Sequence, residues 1–365
     1  MPSQEDGQVF DVGDDDGTGE RVIVTVTLNP SLDRTMEIAG LTRGDLVLAD
    51  TTRLDPGGKG VNVARALAAH GIATCAVVPR NGPEGMRLTT LLGVEGIDVR
   101  AVPVTGHTRS NVSLVEPDGT VTKINEPGGL LTEDDMDAIV SAVLTIGNGA
   151  KWVVASGSLP PGVPDTFYAR LGRQVTELGV RFAVDTSGPA LTAALEARPA
   201  LVKPNRDELA ESVGFRIDTV ADAVRAAEAM RAAGAGAVLA SLGADGAVLV
   251  DDEGVRYGVS PVDRGRSAVG AGDAMLAGFL AAATVNGSPA GSGNGSANGA
   301  GHPAGVGGDV LVEALSWGAA AVRFPGSRMP GPSDVDRSAV CVHATADLSR
   351  QLSGPHQVQW MEQIR

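Results

Sequence analysis

Ser267 to Leu280 reads SAVGAGDAMLAGFL. Gly270, Ala271 and Gly272 can turn several backbone N–H groups toward one point, and the helix that follows adds the positive end of its dipole, so the point suits an anion. A carboxylate there, Asp273, would repel the anion unless a proton is moved between them. A general base beside a transferring phosphoryl group gives that pairing a purpose. On this motif alone, an Asp capping a buried helix is an equal alternative.

A second stretch, DPGGKGVNVARALAAHG from Asp55 to Gly71, sets Lys59 among Gly57, Gly58 and Gly60 at the mouth of a helix. The phosphate loop of ATPases needs a glycine separated by four residues from its Gly-Lys pair and Ser or Thr after it. Here Arg53 and Gly60 occupy those places, so the loop is expected to grip an anion other than a triphosphate. A phosphorylated or polyhydroxyl substrate suits lysine plus helix-start amides, with a surface lysine in a turn as the plainer alternative.

Weaker signals surround these two. In VKPNRDEL, Asn205 and Glu208 stand three apart at a strand-to-helix junction and can hold metal-bound water, or simply begin a solvated helix. SLGADG sets Ser241, Gly243 and Gly246 where backbone can approach phosphate or adenine, or merely turn. ASGSLPPG offers the hydroxyls of Ser156 and Ser158. LNPSLD ends a strand with Asn29 and Asp33, the latter able to accept hydrogen bonds from vicinal hydroxyls, and TRSNVSL supplies Arg109 and Asn111. The five histidines lack ligand spacing, so neither a transition-metal site nor a Ser/His/Asp triad is expected and surface roles are assigned to all.

The elements that must carry these residues alternate. RVIVTVTL, IATCAVVP, KWVVAS, VRFAVD, ALVKP, AGAVLAS and GAVLVDD read as buried strands, and helices fall between most of them. The pattern predicts a mainly parallel sheet covered on both faces, with ligands at the carboxyl ends of its strands. Thr35 to Leu54, Val99 to Val104 and Asn111 to Glu116 carry alternating polar residues and are assigned to a small β lid, taken as about 34–56 and 98–127. EPDGTVTKI closes a hairpin in it. Residues 1–20 read as a disordered acidic tail, 21–330 as one domain with a glycine-rich insertion at 287–308, and 331–365 as a C-terminal extension without clear pattern.

Composition narrows the partners. A formal charge of −15 over 365 residues argues against a nucleic-acid surface, and no apolar run reaches the length of a membrane span. Two distant cysteines, Cys75 and Cys341, and no signal-like start fit a cytoplasmic protein.

LNPSLD, PGGKGVNVARAL, TRSNV, SGSLPPG, VKPNRDEL, SLGADGA and VGAGDAM, in this order and spacing, resemble the PfkB-type carbohydrate kinases of the ribokinase-like superfamily, from about Arg21 to Gly326. The resemblance implies a three-layer α/β sandwich with a β-sheet lid, ATP as donor with Mg2+, and a homodimer clasped through the lids. It implies Asp273 as base, with the backbone of Gly270, Ala271 and Gly272 meeting the phosphoryl charge. Lys203, Asn205, Glu208, Ser241, Gly243 and Gly246 fall on the Mg-ATP side, Asn205 and Glu208 reaching the metal through water. Asp33, Gly57, Gly58, Lys59, Asn62, Arg109, Asn111 and Ser158 fall on the phosphosugar side.

TLNPSLD and SGSLPPG resemble the phosphosugar branch. Members acting on fructose 6-phosphate tend to carry a basic lid segment and an all-glycine loop, where this chain has GDLV and GGKG. The stretch RGDL tilts the expectation to the 6-hydroxyl of D-fructose 1-phosphate. Tagatose 6-phosphate, fructose 6-phosphate and a non-catalytic sugar-phosphate sensor stand as alternatives. Ser267 and Ala268 stand where relatives commonly carry an acidic residue and a threonine, which weakens the expectation of a monovalent-cation site and of one hydroxyl contact.

Overall fold

The computed structural model describes residues 23–262, 265, 267–285, 309–343 and 348–353. The expected tail at 1–20, the insertion at 287–308 and parts of the C-terminal extension lie outside them. Strands β1 (Ile23–Val26), β4 (Thr74–Arg80) and β8 (Trp152–Ser156) are buried along nearly their whole length, which demands helices on both faces of their sheet.

Among the described residues that sheet has ten strands. Its order is β14 (Cys341–His343), β13 (Gly254–Val259), β12 (Ala247–Asp251), β11 (Val238–Ser241), β10 (Leu201–Val202), β9 (Arg181–Asp185), β8, β1, β4 and β5 (Asp98–Pro103). From β11 to β5 all neighbours are parallel, whereas β12, β13 and β14 are added antiparallel. Side chains alternate between two cores: Val24, Val153 and Ala155 join one, Ile23, Trp152 and Val154 the other.

Helices α3 (Glu133–Gly147), α4 (Phe167–Glu177), α5 (Gly188–Ala194), α6 (Arg206–Val213) and α7 (Val220–Ala232) supply the first core. Helices α1 (Lys59–Ala69), α8 (Ala271–Val285) and α9 (Val310–Val322) supply the second, and α2 (Gly82–Val94) packs beside α1 over β4. Sequence signals fix several starts: Thr132 and Asn205 each close a reciprocal capping box, and Gly71, at φ 70°, follows the last turn of α1.

A separate four-stranded sheet runs β3 (Ala49–Gly57), β2 (Ser31–Ile38), β6 (Arg109–Val115) and β7 (Val121–Asn125). It grows off the carboxyl end of β1, which reaches β2 through only Thr27 to Pro30, and it returns through β3 directly into α1, with Gly58 between them. The lid strands are thereby tied to the ends of the elements that carry Asn29 and Lys59.

Three expectations are corrected. Residues 98–103 belong to the large sheet, not the lid: β5 pairs in parallel with β4 as an edge strand, and its half-open face accounts for the alternating polar residues. His70 is not a surface residue; it is 4% exposed, stacked on Trp317 with ring centroids 3.5 Å apart, and Nδ1 donates to the Ala66 carbonyl. Burial pulls its pKa below the ordinary imidazole value. Residues 341–343 are an integral edge strand, while Arg337 pairs with Glu313, itself 1% exposed on α9. His107 and His343 are exposed; His302 and His356 lie outside the described residues.

Candidate active site

The carboxyl ends of β1, β8, β9, β10 and β11 bring the motif residues to one region. Asp273 lies in the first turn of α8, where helix N–H groups lack partners within the helix. It is 7% exposed, and its Oδ2 accepts a hydrogen bond from Asn62 Nδ2 of α1 at 2.8 Å. Burial, reinforced by the nearby Asp185 carboxylate, raises its pKa to about 6 against the opposing pull of Lys59, the Asn62 hydrogen bond and Lys203. Such a carboxylate is ionised at neutral pH yet basic enough to accept a proton.

Around it stands a chain of charges. Asp185, fully buried at the end of β9, receives Lys59 Nζ at 2.8 Å on Oδ1 and pairs with Lys203 Nζ at 3.0 Å on Oδ2. Burial alone would raise the Asp185 pKa, but the two ammonium groups outweigh it and hold the carboxyl below its ordinary range. Lys59 Nζ also donates to Glu208 Oε1 at 3.0 Å. Burial works against its charge, but Asp185 and Glu208 overcome that cost and keep it protonated. Lys203 Nζ approaches the start of α8, since a Cβ on Gly272 would stand 3.3 Å from it.

Asn205 and Glu208 are engaged with each other at the start of α6: Glu208 N donates to Asn205 Oδ1 at 2.8 Å, and Asn205 N donates to Glu208 Oε2 at 2.9 Å. Among the described residues no group of three or more His, Cys, Asp and Glu side chains stands ready to enclose a metal. Spare lone pairs on Glu208 and Asn205 can accept from water around an ion carried on phosphates, as Mg2+ usually is. Ser241, at the end of β11, bridges to Asn205, and its N donates to Pro204 O at 3.0 Å. Gly243 has open space where a side chain would be, whereas a Cβ on Gly246 would overlap the backbone of Gly258; that glycine serves the β12–β13 packing.

At the lid end, Asp33 Oδ1 accepts from Ser31 Oγ at 2.6 Å and Asn111 Nδ2 at 2.9 Å. Gly57 passes flush against the Asp33 carboxylate and Gly58, at φ 116°, against Thr27 and Pro30; a side chain at either would collide. Arg109 Nη1 donates to Glu126 O at 3.1 Å, and burial lowers its pKa against the pull of Asp33 and Glu126. Arg109 Nε, Asn111 Oδ1 and Asn62 Oδ1 are buried with no partner in the protein, which marks them as groups a polar ligand would satisfy. Asn29 Nδ2 donates to Ser158 Oγ at 3.3 Å and Pro127 O at 3.1 Å, joining two further motifs.

Two residues escaped the sequence reading. Asp185 is the hub of the charge chain, yet its only signal is a single acid closing the apolar run VRFAVD. Arg65 has none: its Nη1 donates to Pro56 O and Ser327 O at 3.3 and 3.0 Å and its other face grips Glu95, bolting the β3–α1 corner to the loop after α9. That loop carries Met329, whose Cε lies 2.7 Å from where a Gly270 Cβ would be.

The fold is an α/β sandwich with a large, mainly parallel sheet and a smaller separate one, and a buried carboxylate stands in the first turn of α8. The chain belongs to the pfkB family of carbohydrate kinases, whose description matches residues 26–294. It is 40% identical over 269 residues to the 1-phosphofructokinase of Rhodobacter capsulatus, covering 72% of this chain and 84% of that one. It is 38% identical over 257 residues to the ATP-dependent 6-phosphofructokinase isozyme 2 of Escherichia coli, covering 70% and 83%. Phosphofructokinase-2 from Escherichia coli, solved in complex with potassium, shares the fold with a TM-score of 0.77 and 33% identity, covering 86% of this chain and 96% of that one.

Proposed function

We propose that this sugar kinase transfers the γ-phosphoryl group of ATP to the 6-hydroxyl of D-fructose 1-phosphate, giving fructose 1,6-bisphosphate. The observation that carries the reaction is Asp273: a buried carboxylate with a pKa near 6, set in the first turn of α8 and bonded to Asn62. It takes the hydroxyl proton as the new O–P bond forms and the bond to ADP breaks, while the amides of Gly270 and Gly272, joined by that of Ala271 on release from its 3.3 Å bond to Ala268 O, receive the negative charge of the phosphoryl oxygens. Lys59 and Lys203, both anchored by Asp185, add positive charge on the same side.

The acceptor is held between Asp33, Asn111 and Ser158, which bond its hydroxyls, and Arg109, whose guanidinium meets its 1-phosphate. The unpartnered Arg109 Nε and Asn111 Oδ1 fit this role. The nucleotide lies along Ser241 and Gly243, and Asn205 and Glu208 orient water on Mg2+, which when bound neutralises phosphate charge. Two copies meet through their lids, where Val121 and Ile124 of β7 are exposed.

The choice of acceptor is supported by GDLV and GGKG in the lid and loop, and by the named activity of the Rhodobacter relative. ADP release with fructose 1-phosphate, fructose 6-phosphate and tagatose 6-phosphate tests it. The highest kcat/KM is expected with fructose 1-phosphate. A preference for either other sugar overturns the substrate, and no turnover with any overturns the enzyme in favour of a sensor.

A further inference from the structure

We propose that Ser353 is a positioning residue for the nucleotide: from a C-terminal strap it fixes the spacing of two turns, 204–206 and 243–246, between which Mg-ATP is placed. The inference rests on that placement.

The strap, residues 348–353, lies along the entrance to α7. Val220 N donates to Arg350 O at 3.1 Å, Ala221 N to Leu348 O at 3.0 Å, and Leu352 N to Asp218 O at 2.9 Å. Leu352, 9% exposed, is part of the main core, so the strap is anchored by apolar burial as well as by hydrogen bonds. Its end then crosses to the site. Ser353 N donates to Asp245 Oδ2 at 2.7 Å, and Ser353 Oγ lies 2.9 Å from both Asp245 carboxylate oxygens. The carbonyl of Ser353 accepts from Arg206 Nη1 at 3.3 Å. All three polar groups of one residue are thus spent across two turns.

Those turns carry the nucleotide-side motifs. Arg206 follows Asn205, and Asp245 stands between Gly243 and Gly246. On one side the first turn is held to the end of β11, two residues ahead of the second, through Ser241 N and Pro204 O. On the other, Asp245 is 4% exposed, and besides Tyr257, which donates its hydroxyl to the Asp245 backbone carbonyl at 2.7 Å, its carboxylate is met by the strap. Without Ser353 a buried carboxylate loses charge-assisted donors and must turn toward water, drawing the 243–246 turn with it. Of the phosphosugar groups, Asp33, Arg109 and Asn111 sit on β2 and β6, a different sheet, and Ser158 follows β8, three strands from β11 in the large sheet, so the effect falls on the nucleotide alone.

The test uses the full chain. Ser353→Ala and Asp245→Asn are assayed singly and together for KM of ATP, KM of fructose 1-phosphate and thermal midpoint, with Ser353→Thr as the variant that restores the hydroxyl. Gly243→Asn, whose side chain would enter open space and whose left-handed backbone asparagine tolerates, locates the nucleotide. Ser353→Ala is expected to raise KM for ATP roughly tenfold, the worth of a hydrogen bond to a charged group. KM for the sugar should stay put, Ser353→Thr should recover the wild-type value, and the double variant should be no worse than Asp245→Asn. If Gly243→Asn raises KM for ATP while Ser353→Ala does not, or lowers only the thermal midpoint, Ser353 is merely structural and the inference fails alone. If Gly243→Asn also leaves KM for ATP unchanged, the placement of the nucleotide fails and takes the inference with it.

Discussion

Two aspartates, both buried, are driven in opposite directions. Asp185 has ammonium groups on each side and is held as a carboxylate; Asp273 is pushed up to about 6 by burial and the neighbouring Asp185 carboxylate, against the pull of Lys59 and the Asn62 amide. One is built to stay charged and the other to change charge. Asp273→Asn should lower kcat by roughly 10²–10⁴-fold with little change in nucleotide affinity, checked by steady-state rates and nucleotide titration. In the wild type the acid limb of the kcat/KM profile should turn near pH 6. Folding carries the same signature. The carboxylic acid form favours the folded state, a contribution complete below about pH 4 and lost as pH rises through about 6. Asp273→Asn should therefore melt higher than wild type at pH 8, with the difference shrinking toward pH 4. Asp273 was legible because glycines and a helix start announce an anion. Asp185 was not, since one acid at a strand end has no spacing to betray it.

The elements matter through how closely they approach one another. Helices α8 and α9 lie against each other through glycines: a Cβ on Gly318 would come within 3.3 Å of Ala271 O and Met275 Cβ, and one on Gly278 would overlap the Glu313 backbone. Since Ala271 is the first residue of α8 and lies within the turn proposed to meet the phosphoryl group, α9 sets its position from behind. Gly318→Val should push that turn outward, cutting kcat more than it raises KM for the sugar, and cost about 1–3 kcal/mol of stability by denaturant titration. Helix starts with Thr-x-x-Asp or Asn-x-x-Glu boxes were readable, because a cap is local chemistry. Strand membership was less so. β5 has the polar alternation of a lid strand because an edge strand shares it, and β13 and β14 are too short or too glycine-rich to stand out.

For the whole molecule, the lid is the feature with unfinished contacts. Its sheet ends in β7, where Val121 and Ile124 are 49% and 59% exposed, and the approach to β3 leaves Leu46 and Leu48 more exposed still. Apolar groups on a thin sheet favour a second copy as cover. Light scattering should give a dimer, and Ile124→Asp should shift it toward monomer; a monomeric wild type would remove the lid clasp. The layered fold and the order of motifs along it were legible from apolar periodicity, but periodicity says nothing about which sheet an alternating strand joins.

Helix α8 has a direction that reaches beyond catalysis. Its 15 residues run from Ala271 to Val285, which puts Val285 about 18 Å from Asp273 at 1.5 Å per residue, and the antiparallel α9 starts back at that distant end. The polypeptide therefore leaves Val285 and re-enters at Asp309 on the side remote from the chemistry. A fluorophore or affinity tag joined at Val285 or Asp309 would be anchored at the helix ends far from Asp273, making them the natural place to attach a reporter to a working kinase.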